Sequence, residues 1–141
     1  MKGFLLLISI IVHASAMTAQ VNAQSLFPTG DGEKTKLDAM IEMPRGYISG
    51  ICILMHDGSK VKGSLFNEFG ISALDFVYDT SKDKVKITNV ISFIDKWYIK
   101  RVLRKDLREV MHCLEKRQSE YKNHKRNIVY RFLALTNDTE R

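Results

Sequence analysis

The hydrophobic pattern of this chain changes period once, near residue 91, and that change limits the folds open to it. Apolar side chains recur every second residue along a half-buried strand and about every 3.6 residues along a helix. Tyr47–Met55 is β-branched and apolar on both faces and reads as a strand. His56-Asp57-Gly58-Ser59 follows, and Asp-Gly between two apolar runs is a hairpin signal. Lys60–Phe69 then alternates, with Val61, Leu65 and Phe69 on one face and Lys60, Lys62, Ser64 and Glu68 on the other. Gly70 ends it. Ile71–Tyr78 forms a third strand, with Leu74, Phe76 and Tyr78 in phase. After a polar turn, Lys84–Val90 forms a fourth, with Val85 and Ile87 inward. Connections this short give an antiparallel meander with one buried and one wet face.

From Ile91 to about Asn123 the period is helical. On a helical wheel Ile99, Leu103, Leu107, Val110, Leu114 and Tyr121 form one stripe, expected to pack on the sheet. Lys100, Arg101, Arg104, Lys105 and Arg108 form a basic face pointing away from it. Asp106 falls near the edge of the apolar stripe and is expected to reach water or a neighbouring base. Asn127–Thr136 reads as one last strand, and residues 137–141 as a frayed tail. The predicted fold class is α+β: an antiparallel meander of four to five strands packed against one long amphipathic helix, in a single domain over 46–136.

The N-terminus reads as an address rather than as part of that domain. Lys2 precedes the hydrophobic stretch Gly3–Val12, and Val21-Asn22-Ala23 offers small side chains to a signal peptidase. Cleavage is expected after Ala23, with Ala14-Ser15-Ala16 as the second site; the alternative is an uncleaved anchor. Residues 1–23 are thus expected to be a signal peptide, and the protein to be exported, to the periplasm or cell envelope if bacterial. Residues 24–45, broken by Pro28, Gly30 and Gly32, read as a linker or loose arm, with room for a short helix over Lys36–Met43 stopped by Pro44.

Composition narrows the function. Hydrophobic residues make up 45% of the 141, too many for a disordered chain. Two cysteines are too few for a disulfide scaffold or a four-cysteine zinc site. Cys52 and Cys113 are compatible with one strand-to-helix disulfide or with two free thiols. The histidines form no close pair, and Gly46-Tyr47-Ile48-Ser49-Gly50 has neither the lysine nor the following helix of a phosphate loop. No metal site, cofactor or catalytic residue is nominated, so a non-enzymatic protein is expected. The formal net charge is +6, and 11 of the 22 Lys and Arg residues lie between Asp95 and Arg126. An exported protein is not expected to meet nucleic acid, so this basic helix face points to an anionic membrane surface or acidic protein. Asn67 is either a turn residue bonding the backbone or a polar group in a ligand cavity.

The strand, Asp57-Gly58 and strand of Gly50–Gly63, with Gly63-Ser64-Leu65-Phe66-Asn67-Glu68-Phe69-Gly70 after it, are similar to the opening hairpin and a sheet strand of the bacterial lipoprotein-carrier family. The likeness spans Gly46–Asn89. This chain is shorter, has fewer strands after the helix and offers no position for that family's cavity-capping arginine. The resemblance implies a curved sheet covered by helix and non-covalent binding of an acyl chain or lipidated protein. Leu65, Phe69, Leu74, Phe76 and Ile87 are then expected to line the cavity. The alternative function is docking on an anionic partner through the basic helix face.

Overall fold

The segment Lys34–Met43 illustrates how pairing decides local structure here. Its Lys, Leu, Ala, Met and Glu residues are helix formers, yet Leu37, Ala39 and Ile41 are buried while Lys36, Asp38 and Glu42 are exposed. That period of two suits a strand, and in the computed structural model, which describes residues 25–135, it is strand β1. The expected linker over 24–45 and the expected helix over Lys36–Met43 are therefore corrected. A two-residue turn, Pro44-Arg45, joins β1 to β2 (Gly46–Asp57), with Met43 opposite Gly46. The expected export segment, 1–23, and the tail, 137–141, lie outside the described residues.

The meander continues through β3 (Lys60–Phe66), β4 (Ser72–Asp79) and β5 (Lys84–Val90). A 3₁₀ turn, Ser92–Ile94, leads into helix α1 (Trp97–Glu115), and β6 (Glu120–Asn123) and β7 (Ile128–Ala134) follow. The strands form one antiparallel sheet of seven in the order β5-β4-β3-β2-β1-β7-β6. The α+β class and antiparallel sheet match the sequence expectation, with seven strands in place of four to five. The two additions are β1, which takes β7 on its free side, and β6, which occupies part of the expected helix.

The sheet is curled, and α1 lies across its open side against both edge strands, β5 and β6. Leu103, Leu107, Val110, Met111 and Leu114 are buried against Leu37, Ile41, Leu54, Leu65, Phe76 and Tyr130. Each of these large apolar side chains contributes about 1.5–3 kcal/mol by leaving water. Gly63 faces inward on β3, where a β-carbon would run into the Phe76 ring. Two hairpin details differ from expectation. Gly58 and Ser59, not Asp57 and Gly58, are the loop residues of β2–β3, with Gly58 at φ 62 and its N–H donating to Asp31 Oδ1 at 2.9 Å. In the β3–β4 loop, Asn67 Oδ1 accepts the N–H groups of Phe69 and Ile71, both at 3.0 Å, so Asn67 is a turn residue. The loop ends the alternation of β3 at Phe66 and turns Phe69 out to solvent.

The helix stops eight residues short of the expected Asn123 because Glu115 is followed by a left-handed residue, Arg117, at φ 61. The Gln118 N–H donates to the Cys113 carbonyl at 2.8 Å, and the Arg117 N–H to the Leu114 carbonyl at 3.0 Å. These two bonds define a Schellman termination, which usually carries glycine at the left-handed position. Arginine there bears a steric cost from its β-carbon. Arg117→Gly is expected to stabilise the protein by about 0.5–1 kcal/mol, read as a higher urea midpoint at unchanged slope. A lower midpoint would show that the Arg117 side chain outweighs the backbone cost.

Candidate functional site

The hairpin register places the β1–β2 turn, the β3–β4 loop, the 3₁₀ turn, the start of α1 and the β6–β7 turn at one end of the sheet. There the sheet and helix do not close fully. A half-open crevice of about 470 Å³ lies between the first turns of α1 and the two sheet turns. Met43, Ile94, Ile99, Val102 and Ile128 make its apolar lining, and Phe93 stands beside Gly46 at its mouth, 3.8 Å from where a β-carbon would sit. Arg45, Lys96 and Arg126 are its charged residues, and no carboxylate lines it. None of the three is ion-paired among the described residues. Its volume falls in the range of about 300–1,000 Å³ usual for small-molecule sites.

The local sequence builds this opening. Pro44-Arg45 makes the tight turn that projects one cation, and Asn127, at φ 55, closes the β6–β7 turn beside Arg126. Lys96 is the N-cap of α1 without a side-chain cap bond, and the first helical turn carries no acidic residue. The positive end of the helix dipole thus adds to the cations around the mouth.

The residues expected to line a cavity lie elsewhere. Leu65, Leu74 and Phe76 are fully buried in the core, Ile87 is half-buried against it, and none lines the crevice. Phe69 is 78% exposed and lies in the β3–β4 loop, contrary to the expected inward position. It borders a separate hollow of about 840 Å³ on the outer sheet face, where Lys36, Asp38 and Glu68 mix both charge signs. The crevice residues escaped the sequence reading because Met43, Phe93 and Arg126 sit at or beside three connections far apart in the chain. The signal present was an apolar residue close to a cation at each of them: Met43 with Arg45, Phe93 with Lys96, Ile128 with Arg126.

The basic face divides into two sets. Arg101, Arg104 and Lys105 are exposed. Lys100 Nζ is 2.8 Å from Asp95 Oδ1, which holds the Asp95 carboxyl below the usual carboxylate range. Arg108 contacts Glu109 at 3.3 Å, and its Nε is buried without a partner among the described residues. Trp97, Arg101 and Lys105, four residues apart on one ridge, share a groove with Tyr98, Val102 and Arg126 next to the crevice.

Two polar clusters fix α1 to the two sides of the sheet. Asp106, expected at a wet boundary, is only 4% exposed. Tyr130 Oη donates to its Oδ2 at 2.7 Å, and Asn123 Nδ2 lies 3.0 Å from both carboxyl oxygens. Burial, and then the bond to Asp106, push the Tyr130 hydroxyl above its ordinary pKa, keeping it a donor. At the far end of α1, His112 Nε2 is 2.6 Å from Asp83 Oδ1, which also accepts from Tyr78 Oη at 2.8 Å. These two bonds hold the Asp83 carboxyl below the usual carboxylate range. Both clusters join the helix to the sheet; none of their residues lines the crevice, but Asn123 Oδ1 accepts the N–H of its neighbour Arg126, which does, at 3.1 Å.

Cys52 and Cys113 are free thiols, and burial pushes the Cys52 thiol up to about 12, far from a reactive thiolate. No group of three His, Cys, Asp or Glu side chains among the described residues is arranged to hold a metal ion. Nor is any helix among them long and apolar enough to cross a membrane. No protein-family model, curated protein or solved structure matches this chain.

Proposed function

We propose that this is a non-enzymatic exported protein that binds one amphiphile, a single acyl chain with an anionic head, between sheet and helix. The crevice at the open end carries this reading: its floor is apolar, and its charged residues are all cationic. An acyl chain would enter between Met43, Ile94, Ile99, Val102 and Ile128, and its head would meet Arg45, Lys96 and Arg126. Each methylene removed from water contributes about 0.8 kcal/mol, so eight of them supply about 6 kcal/mol before ordering costs. The cations select the head through charge-assisted hydrogen bonds, which arginine forms in bidentate pairs with carboxylate or phosphate. The resemblance to the lipoprotein-carrier family implies the same ligand chemistry, with the site moved from the middle of the core to its end.

The test is loading of delipidated protein with palmitic acid, followed by native mass spectrometry. One bound palmitate is expected, with weaker retention of its uncharged methyl ester. Arg45→Gln with Arg126→Gln should weaken palmitate binding about tenfold and leave the ester unchanged, since a tenfold change is only about 1.4 kcal/mol. Protein that takes up neither compound would overturn the proposal.

A further inference from the structure

Six of the eight large hydrophobic side chains exposed among the described residues occur at the crevice end of the molecule. They are Tyr47, Phe69, Ile71, Phe93, Trp97 and Tyr98, with Trp97 73% exposed. Single exposed hydrophobics are ordinary, but a cluster at one pole marks a surface that meets something apolar. The same pole is basic. Its loops carry Arg45, Lys96, Lys125 and Arg126 against Glu68 and Asp95, and Asp95 is already held by Lys100. Arg101 and Lys105 extend the positive charge along the exposed ridge that starts at Trp97.

We infer that this pole docks on an anionic phospholipid bilayer, with Trp97, Tyr98 and Phe93 entering the headgroup layer and Arg101, Lys105 and Arg126 facing lipid phosphates. Tryptophan and tyrosine have an apolar body and a polar tip and suit the boundary between headgroups and acyl chains. Cations next to them are drawn to the negative potential of acidic lipids. Trp97 and Tyr98 lie edge to face, at 88° with centroids 5.8 Å apart, a packed aromatic pair beside the cations. An acidic protein would satisfy the cations, whereas a bilayer satisfies both cations and rings. In the docked orientation the crevice mouth opens toward the lipid, which makes the bilayer the source of its acyl chain. Only that last step rests on the amphiphile reading; docking is measured independently of it.

Trp97 is the only tryptophan in the sequence, so its emission reports on this surface alone. Full-length protein is mixed with phosphatidylcholine vesicles, with or without phosphatidylglycerol. A blue shift and co-sedimentation are expected with the anionic vesicles and not with the neutral ones. Both should be lost at about 1 M salt, where the screening length falls to about 3 Å. Arg101→Glu with Lys105→Glu should weaken vesicle binding at least about tenfold. Lys60→Glu with Lys84→Glu, the same charge change at the opposite end of the sheet, should leave it within about twofold. Trp97→Ser should weaken co-sedimentation without altering the urea midpoint. Absence of a shift on anionic vesicles, equal losses in the two charge-reversal variants, or a shift on polyglutamate with none on vesicles would each overturn the inference. Docking that persists in protein unable to take up palmitate would support it and overturn only the amphiphile reading.

Discussion

Asp106→Ala should lower the stability of this protein by about 3–5 kcal/mol, a large share of the roughly 5–15 kcal/mol that holds a domain of this size folded. The substitution removes the acceptor for the buried Tyr130 hydroxyl and for the Asn123 amide, each bonded to the carboxyl at 3.0 Å or less. Each buried donor left without a partner costs about 1–3 kcal/mol, and the small void adds to that. The loss should be felt at one place in the fold. Asp106 is the point where α1 is fastened to β6 and β7, so its removal frees that side of the helix. Tyr130→Phe keeps the ring and removes one donor, and should cost about 1–2 kcal/mol. The double variant should lose less than the sum of the two, by about 1 kcal/mol or more, because the contact can be lost only once. Urea unfolding of the four proteins measures all three quantities. An Asp106→Ala protein within about 1 kcal/mol of the parent would mean that α1 is held by its apolar stripe alone.

Asp106 also shows where sequence reading stops. Its helical phase put it at the edge of the apolar stripe, where an acidic residue ordinarily reaches water. What buries it is an amide 17 residues on and a hydroxyl 24 residues on, in strands whose pairing the helix wheel cannot show. The meander from β2 to β5 was legible because alternation, short turns and Asp-Gly all agree. β1 was not, since helix-forming residues and three nearby breakers masked its period of two, and only pairing with β2 and β7 on both sides makes it a strand. The end of α1 was missed because Arg117 stands where glycine would have signalled a stop. Phe69 kept the right phase by alternation, but Asn67 bonded the backbone and the strand ended at Phe66, three residues earlier. Of the expected docking cations, Arg101 and Lys105 do lie beside the crevice, because helical phase is a local property. The crevice itself is a juxtaposition of three turns, and turns are placed by the topology of the whole sheet.

That topology gives the second large effect. Val102 sits one helical turn after Tyr98, and it lines both the apolar crevice and the adjoining aromatic and basic groove. Val102→Phe should fill part of the crevice floor and displace about three methylenes of a bound chain. At about 0.8 kcal/mol each this is about 2.4 kcal/mol, or roughly a fiftyfold loss of palmitate affinity. The fold should tolerate the change, because Val102 is only half-buried and borders an opening rather than the closed core. The urea midpoint should therefore stay near that of the parent while loading falls. The same enlargement placed in the core should reverse the pattern. Gly63→Ala would drive a β-carbon into the Phe76 ring, and overpacking of that kind costs about 1–3 kcal/mol of stability. Palmitate loading of the Gly63→Ala protein that remains folded should be near normal, since Phe76 lines no part of the crevice. If instead Gly63→Ala abolished loading and Val102→Phe did not, the chain would bind in the middle of the core, among Leu65, Leu74 and Phe76. The two variants thus separate a ligand held at the open end of the sheet from one held between its closed faces.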